Sequence, residues 1–359
     1  MADRVLVTGA GGFIGARLVE VLHCAGGWQV VAGVRRWSTA ARVARFSVEL
    51  AQCDIRNPEQ VARALSGVTH LVHCAVTGDD RATIVEGTRV LMEGALRAGV
   101  GKVVHLSTVD VYGRPEGEVL EDRAYAVTGR VYGDSKIEAE QVVQAVAARG
   151  LPVTILRPTL VHGPFGATLT VAYAQRLQAS PWLVPAAAAQ GTCNLVYVDD
   201  LVGAILAALE TRTAPGETFN INGPERPSWN EYFQALNGAL GFAPLVYAEP
   251  AQARFAQKAM EPVRAVAKAT LKRLKPQIMA VYQRSELARR FMKAAEARVR
   301  NTPNANELEA FGRRVSFLDR EGSAPARLPA ALPDGRGAAA HRRVAARQRI
   351  RACAVTISR

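Results

Sequence analysis

The stretch Val5-Leu6-Val7-Thr8-Gly9-Ala10-Gly11-Gly12-Phe13-Ile14-Gly15 decides how the chain is read. Arg4 to Val7 is a short apolar run that predicts a buried first strand, and Ala16 to Leu22 reads as a helix. A strand, a glycine turn and a helix N-terminus together make a phosphate cradle. The turn lets the backbone approach the ligand, and free N–H groups plus the helix dipole meet its charge. The glycines at 9, 12 and 15 are spaced one helical turn apart, unlike the common G-x-G-x-x-G spacing.

Working outward, Trp28 to Val34 predicts a second strand that ends in Arg35-Arg36. An acidic residue at that point would bind the adenosine ribose hydroxyls, whereas an Arg accommodates a 2′-phosphate. No Asp or Glu occurs from Val30 to Arg45, so NADP(H) is favoured and NAD(H) stays open. Cys53-Asp54-Ile55 follows the next short strand, with Asp54 placed to bond an adenine amine. Thr69 to Ala75 predicts a fourth strand whose small terminal residues, Cys74 and Ala75, would let a flat cofactor lie against the sheet.

Ile84 to Ala98 is helical in pattern, and Lys102 to Leu106 predicts a strand running into Ser107-Thr108-Val109-Asp110-Val111-Tyr112-Gly113. Strands alternating with helices at this spacing mean βαβ units and a parallel sheet. Tyr132-Gly133-Asp134-Ser135-Lys136 opens a helix through about residue 148, putting phenol and ammonium on one face. A free phenol, with a pKa of about 10, is a poor base at neutral pH. A neighbouring Lys⁺ and the positive ring of an oxidised nicotinamide would both favour phenolate. Val153 to Pro158 is a sixth strand closed by Pro at its edge. From Gly163 to Gln190 the strand–helix beat gives way to an Ala/Pro-rich insertion that would face substrate. Leu195 to Asp200 leading into an apolar helix from Leu201 to Leu209, then Thr218 to Ile221 and a Ser228/Glu231 capping box, restore it.

The totals bound the function classes. At 359 residues and 49% apolar, the chain has material for about two domains of a globular protein. No apolar run approaches the ~18 residues of a membrane span, and no secretory leader opens the sequence. The five cysteines (24, 53, 74, 193 and 353) form no C-x-x-C pair, which fits reduced thiols and a cytoplasmic protein. No metal-ligand pattern is evident. The net charge of +13 is uneven: residues 1–250 carry −3 and residues 251–359 carry +16.

These residues resemble the extended short-chain dehydrogenase/reductase family, the NAD-dependent epimerase/dehydratase group. The resemblance rests on TGAGGFIG, Asp54, HCAV, STVDVYG, YGDSK, LRPTLVHGP, VYVDDL and FNINGPE in order, from Val5 to Phe317. It implies an α/β fold: a doubly wound parallel-sheet Rossmann domain (1–163 and 194–222) with a smaller, mostly helical C-terminal substrate lobe (164–193 and 223–320). By the same resemblance Tyr132 is the acid/base, Lys136 holds the nicotinamide ribose and lowers the Tyr pKa, and Thr108, rather than Ser107, is the catalytic hydroxyl. Thr8, Gly9, Gly12, Phe13, Ile14 and Gly15 would meet the pyrophosphate, with Arg35, Arg36, Asp54, Ile55, Cys74, Ala75 and Pro158 along the rest of the cofactor.

The activity implied is hydride transfer at a secondary alcohol or ketone carbon of a sugar or nucleotide sugar, of the epimerase type. Two alternatives are an NADPH-dependent reductase or dehydrogenase of a non-sugar metabolite and a non-catalytic NADP-binding scaffold. Four departures narrow it: Val109 replaces the Asp that assists loss of water, Asp110 replaces a Glu, Cys193 replaces a phosphate-binding Arg, and Ile84 replaces a relay Asn. The family often dimerises, and a homodimer is the matching expectation. Pro262 to Lys275 and Ile278 to Arg298 read as basic amphipathic helices, able to touch the inner face of a membrane across 263–298. No nucleic-acid partner is expected. Residues 321–359 are Ala/Arg/Pro/Gly-rich and expected to be disordered; a frame change near residue 320 would account for them.

Overall fold

A computed structural model describes residues 3–78, 80–178, 181–211, 213–260 and 301–318, and residues 262, 286, 290 and 299 singly. Apart from residues 286 and 290, the basic helices expected within 263–298 lie outside the described residues, as does the tail expected at 321–359.

The chain divides into two compact units. One comprises Met1–Gly163, Leu195–Pro224 and Phe317–Arg359, and the other Pro164–Asn194 and Glu225–Ser316. The first unit is built on a seven-stranded sheet. In chain order its elements are β1 (Asp3–Thr8), α1 (Phe13–Ala25), β2 (Trp28–Val34), β3 (Glu49–Gln52), α2 (Pro58–Ala64), β4 (His70–His73), α3 (Gly87–Arg97), β5 (Lys102–Leu106), β6 (Gly117–Val119), α4 (Val131–Ala147), β7 (Val153–Pro158), β8 (Leu160–His162), β9 (Leu195–Tyr197), α6 (Val198–Glu210) and β10 (Glu217–Ile221). The spatial order is β10-β7-β5-β4-β1-β2-β3, and every neighbouring pair runs parallel.

Side chains alternate across the sheet, so each strand feeds two cores. Val5 and Val7 of β1, with Val30, Ala32 and Val34 of β2, pack under Leu18, Leu22, Leu201 and Ile205 of α1 and α6. Leu6, Val31, Leu71, Val103 and Ile155 point the other way, against Val61, Leu91, Met92 and Val143 of α2, α3 and α4. On the first face a partly buried ion pair ties the two helices: Arg17 Nε and Nη2 donate to the Asp199 carboxylate at 2.6 and 2.9 Å.

The strand order reverses between β1 and β4, and in such sheets ligands bind at the carboxyl ends of the strands near that reversal. Thr8, Arg35, Cys53, Cys74, Ser107 and Pro158 all stand at those ends. Pro158 closes an interior strand rather than an edge strand. As the last residue of β7, opposite Ile221, it comes where the ladder ends, and its missing N–H costs little there.

The second unit holds α5 (Ala172–Leu177), α7 (Trp229–Ala239) and α8 (Ala305–Gly312). Gly163 to Gln190 is more helical than the Ala/Pro-rich pattern implies: Ala167–Val171 forms a wide turn that runs directly into α5. Tyr173, Trp229, Phe233 and Phe311 cluster with ring centroids 4.8–6.2 Å apart, which supplies the apolar anchor that sequence periodicity missed. Ser228 and Asn304 begin α7 and α8 with capping boxes through Glu231 and Glu307. Cys193 is fully buried in this unit, where burial pushes its thiol pKa well up.

Candidate active site

The glycine turn is shaped by steric exclusion. Gly9 has φ +70°, a conformation that a residue with Cβ adopts only at a cost. Its carbonyl accepts from Gly12 N–H at 2.9 Å, which folds the turn back on itself. A Cβ on Gly15 would lie 2.4 Å from the Gly9 carbonyl oxygen, and one on Gly11 would lie 2.2 Å from the Thr39 carbonyl oxygen. The 9/12/15 spacing therefore misses one steric glycine. Gly12 is exposed, and a Cβ there would meet only Gly9 O at 3.1 Å. Gly12 is also the N-cap of α1, with no side-chain cap and no acidic residue in the first turn. The leading N–H groups of α1 thus have no intrahelical or capping partner, and the positive end of the dipole lies beside bare backbone. A cradle without side chains fits a pyrophosphate.

Thr8 departs from its assignment. Its hydroxyl is fully buried and hydrogen-bonded to His73 Nδ1 at 2.9 Å, and His73 Nε2 reaches the Thr88 hydroxyl at 3.1 Å. The Thr88 hydroxyl donates to the Ile84 carbonyl, so it accepts from His73 Nε2–H, and His73 Nδ1 accepts from Thr8. Burial holds the His73 pKa down at about 3, which keeps the ring neutral in this role. Thr8 therefore braces the turn from below and offers a ligand no side-chain oxygen.

Phe13 and Ile14, the first residues of α1, are half-buried. Arg35 is half-buried and Arg36 exposed, and neither guanidinium is in an ion pair among the described residues. Beyond β3, Asp54 is half-buried, its carboxylate accepting from Arg56 N–H at 3.0 Å, and Ile55 is buried. Cys74 N–H donates to Thr8 O at 3.2 Å, which brings the ends of β1 and β4 together. The Ala75 backbone lies 2.8 Å from where a Gly9 Cβ would sit. Burial raises the Cys74 thiol to about 12 and leaves it unreactive.

The chemistry-bearing side chains meet at the end of β5. Tyr132, Lys136 and Glu140 lie on one face of α4, one turn apart. The Tyr132 phenol lies beside the Thr108 hydroxyl, which pulls its pKa down. Lys136, buried, donates from Nζ to the Leu106 carbonyl at 2.8 Å. Ser107 Oγ donates to the Glu140 carboxylate, which removes Ser107 from contention as the reacting hydroxyl. Burial, then the charge of Asp110, push the phenol up to about 12, against the pull of Thr108. The expectation that Lys136 lowers the phenol needs correcting for the protein alone: the ammonium is turned to a backbone carbonyl, and burial wins. Burial also brings Lys136 down to about 8, with Glu140 opposing.

A buried charged network behind this face had no role assigned from sequence. Arg157 grips Glu140 through Nε at 3.0 Å and Nη2 at 2.6 Å, and its Nη1 donates to the Tyr112 hydroxyl at 2.6 Å. The Tyr125 hydroxyl donates to Glu140 at 2.9 Å, and Tyr112 donates to Asn220 Oδ1 at 2.8 Å. One signal was legible: a Glu among buried Ile137, Ala139 and Val143 must have a partner. Ile84, where a relay Asn was looked for, is buried. No group of His, Cys, Asp and Glu among the described residues could hold a metal ion. Among them, too, no helix is long and apolar enough to cross a membrane.

Residues 5–222 match the NAD dependent epimerase/dehydratase family. Sterol demethylase protein B of Methylococcus capsulatus is 39% identical over 171 residues, covering 45% of this chain and 52% of that protein, so the match spans about half its length. A UDP-glucose 4-epimerase of Vibrio cholerae is 28% identical over 260 residues, covering 67% of this chain and 76% of the relative. Among solved structures, MoeE5 in complex with UDP-glucose and NAD is 28% identical, with a TM-score of 0.59 over 69% of this chain and 85% of that one.

Proposed function

Because the chain belongs to the NAD dependent epimerase/dehydratase family, we propose that it is an NAD(P)-dependent oxidoreductase of the epimerase type, acting at a secondary alcohol or ketone carbon of a sugar or nucleotide-linked sugar. The observation that carries this reading is the Tyr132 phenol beside the Thr108 hydroxyl, with Lys136 one turn along α4. When bound, the nicotinamide supplies the hydride acceptor and donor. The glycine turn, Arg35, Arg36, Asp54, Ile55, Cys74, Ala75, Lys136 and Pro158 are the residues that would hold it.

Tyr132 exchanges one proton with the substrate oxygen. With the phenol at about 12 before cofactor binds, it begins as the acid. It gives the proton to an oxygen that gains electron density and takes one from a hydroxyl that loses it. Thr108, beside the phenol, orients that exchange and steadies the developing oxyanion. Lys136 contributes a positive charge that favours the phenolate, and that charge is lost as pH rises through about 8. Turnover is therefore expected to decline on the alkaline side with a midpoint near 8, read from initial rates across pH; a rate still rising at pH 9 would remove Lys136 from the account.

Arg35 and Arg36 support a preference for the 2′-phosphorylated dinucleotide. A charge-assisted hydrogen bond contributes about 1.5–3 kcal/mol. For one such bond to the 2′-phosphate, replacing both with Ala should weaken NADP⁺ by roughly 10- to 100-fold and leave NAD⁺ nearly unchanged, measured by calorimetric titration. Equal losses for both nucleotides would refute the preference.

A second reading has specific support. Cys193, buried and apolar, stands where a phosphate-binding Arg would mark a nucleotide sugar, and one relative is named for sterol demethylation. That favours a reductase or dehydrogenase of a non-sugar metabolite. Absorbance at 340 nm separates the two, because an epimerase returns its hydride and shows no net change.

A further inference from the structure

We propose that Glu140 is a positioning residue of this site, the carboxylate that clasps residues 106–108 to α4 and so sets the place and the charge of Lys136. The proposal deepens the reading of Tyr132 and Lys136 given above.

Three consecutive residues at the end of β5 engage three successive turns of one helix face. The Leu106 carbonyl accepts from Lys136 Nζ, Ser107 Oγ donates to Glu140, and the Thr108 hydroxyl faces Tyr132. Ser107 is the middle member, so whatever holds it fixes both neighbours. Its own N–H donates to Leu156 O at 2.7 Å, which ties the segment to β7. From β7 comes Arg157, whose two-point grip keeps the Glu140 carboxylate turned toward Ser107. Glu140 is 0% exposed and Arg157 4%, so no water competes for this geometry.

The second half concerns charge. Lys136 faces four titratable neighbours besides Tyr132: His73 and Cys74 at the end of β4, His105 on β5, and Glu140 on its own helix. Burial keeps both imidazoles neutral and the thiol protonated, so none of these three brings a compensating charge at neutral pH. Glu140 is left as the anion that supports the ammonium. Its other cation, Arg157, also donates to Tyr112, Tyr125 and the Glu121 carbonyl.

The test reads Lys136 directly. The chain has seven lysines (102, 136, 258, 268, 272, 275 and 293), few enough to follow individually by 13Cε NMR during a pH titration of the full chain. Lys136→Met and Lys102→Met assign the two buried signals. In Glu140→Gln the Lys136 midpoint is expected to fall by about one unit or more, a tenfold change in proton affinity. Lys102, held by Thr154, Thr211 and Thr213 with Glu217 as its charged neighbour, serves as the control and stays within about 0.2.

If Glu140→Gln fails to fold, Glu140→Gln/Arg157→Gln leaves no unpaired charge and must show a fall in the same direction, smaller because a cation leaves with the anion. Ser107→Ala keeps the carboxylate and so should leave the midpoint near its starting value. An unmoved Lys136 in a folded Glu140 variant, or an equal shift in Ser107→Ala, overturns the proposal. The titration needs neither substrate nor cofactor, so failure of the enzymatic reading would register separately, as full turnover in Lys136→Met.

Discussion

Tyr132→Phe is expected to lower turnover by roughly a thousandfold or more while leaving dinucleotide affinity within a factor of about three. Proton transfer by a positioned side chain contributes about 10²–10⁴-fold, and the phenol is the group placed to supply it. Phe keeps the ring and its burial and removes only the oxygen, so the helix face and Lys136 should stay in place. Thr108→Ala should cost less, on the order of 10- to 100-fold, because it removes the orienting partner rather than the proton carrier. Initial rates with binding titrations on the same preparations check both. Full turnover in Tyr132→Phe would mean that another group moves the proton.

Arg157→Met should produce the largest loss of stability, about 3–5 kcal/mol. The cost comes from the stranded Glu140 carboxylate, which would be fully buried with only hydroxyl donors from Ser107 and Tyr125. Against typical domain stabilities of about 5–15 kcal/mol, such a loss threatens folding at physiological temperature. Arg157→Met/Glu140→Met removes both charges, and replacement of a buried pair by apolar side chains is often close to neutral. The double variant should therefore unfold at higher urea concentration than the single one. The reverse order would show that the pair itself, rather than its separation, supplies the stability.

Local pattern carried much of this structure into the sequence. β2, β5 and β7 run from the first to the last residue that their apolar runs predict, because in a sheet buried on both faces continuous hydrophobicity marks the whole strand. Tyr132 and Lys136 were legible because four residues on a helix is a fixed geometric relation. What stayed hidden depends on neighbours remote in the chain. Gly11 is closed off by the Thr39 carbonyl, 28 positions away, and the pairing of Glu140 with Arg157 exists because α4 packs back onto β7. The Thr8–His73–Thr88 chain likewise needs β1 beside β4. The phenol was misjudged for a related reason: spacing places a charge nearby, but only the fold shows which way it turns and how much water is lost.

The claim on which the rest depends is that the turn from Gly9 to Gly15 holds a nicotinamide dinucleotide at the carboxyl ends of the strands. Mass spectrometry of nucleotide released from the purified full chain, with calorimetric titration of the stripped protein by NADP⁺ and NAD⁺, tests it most directly. The expected result is one dinucleotide per chain, with NADP⁺ binding more tightly and Gly15→Val abolishing binding in a folded protein. Absence of any released dinucleotide, together with no heat from either nucleotide at millimolar concentration, would contradict it.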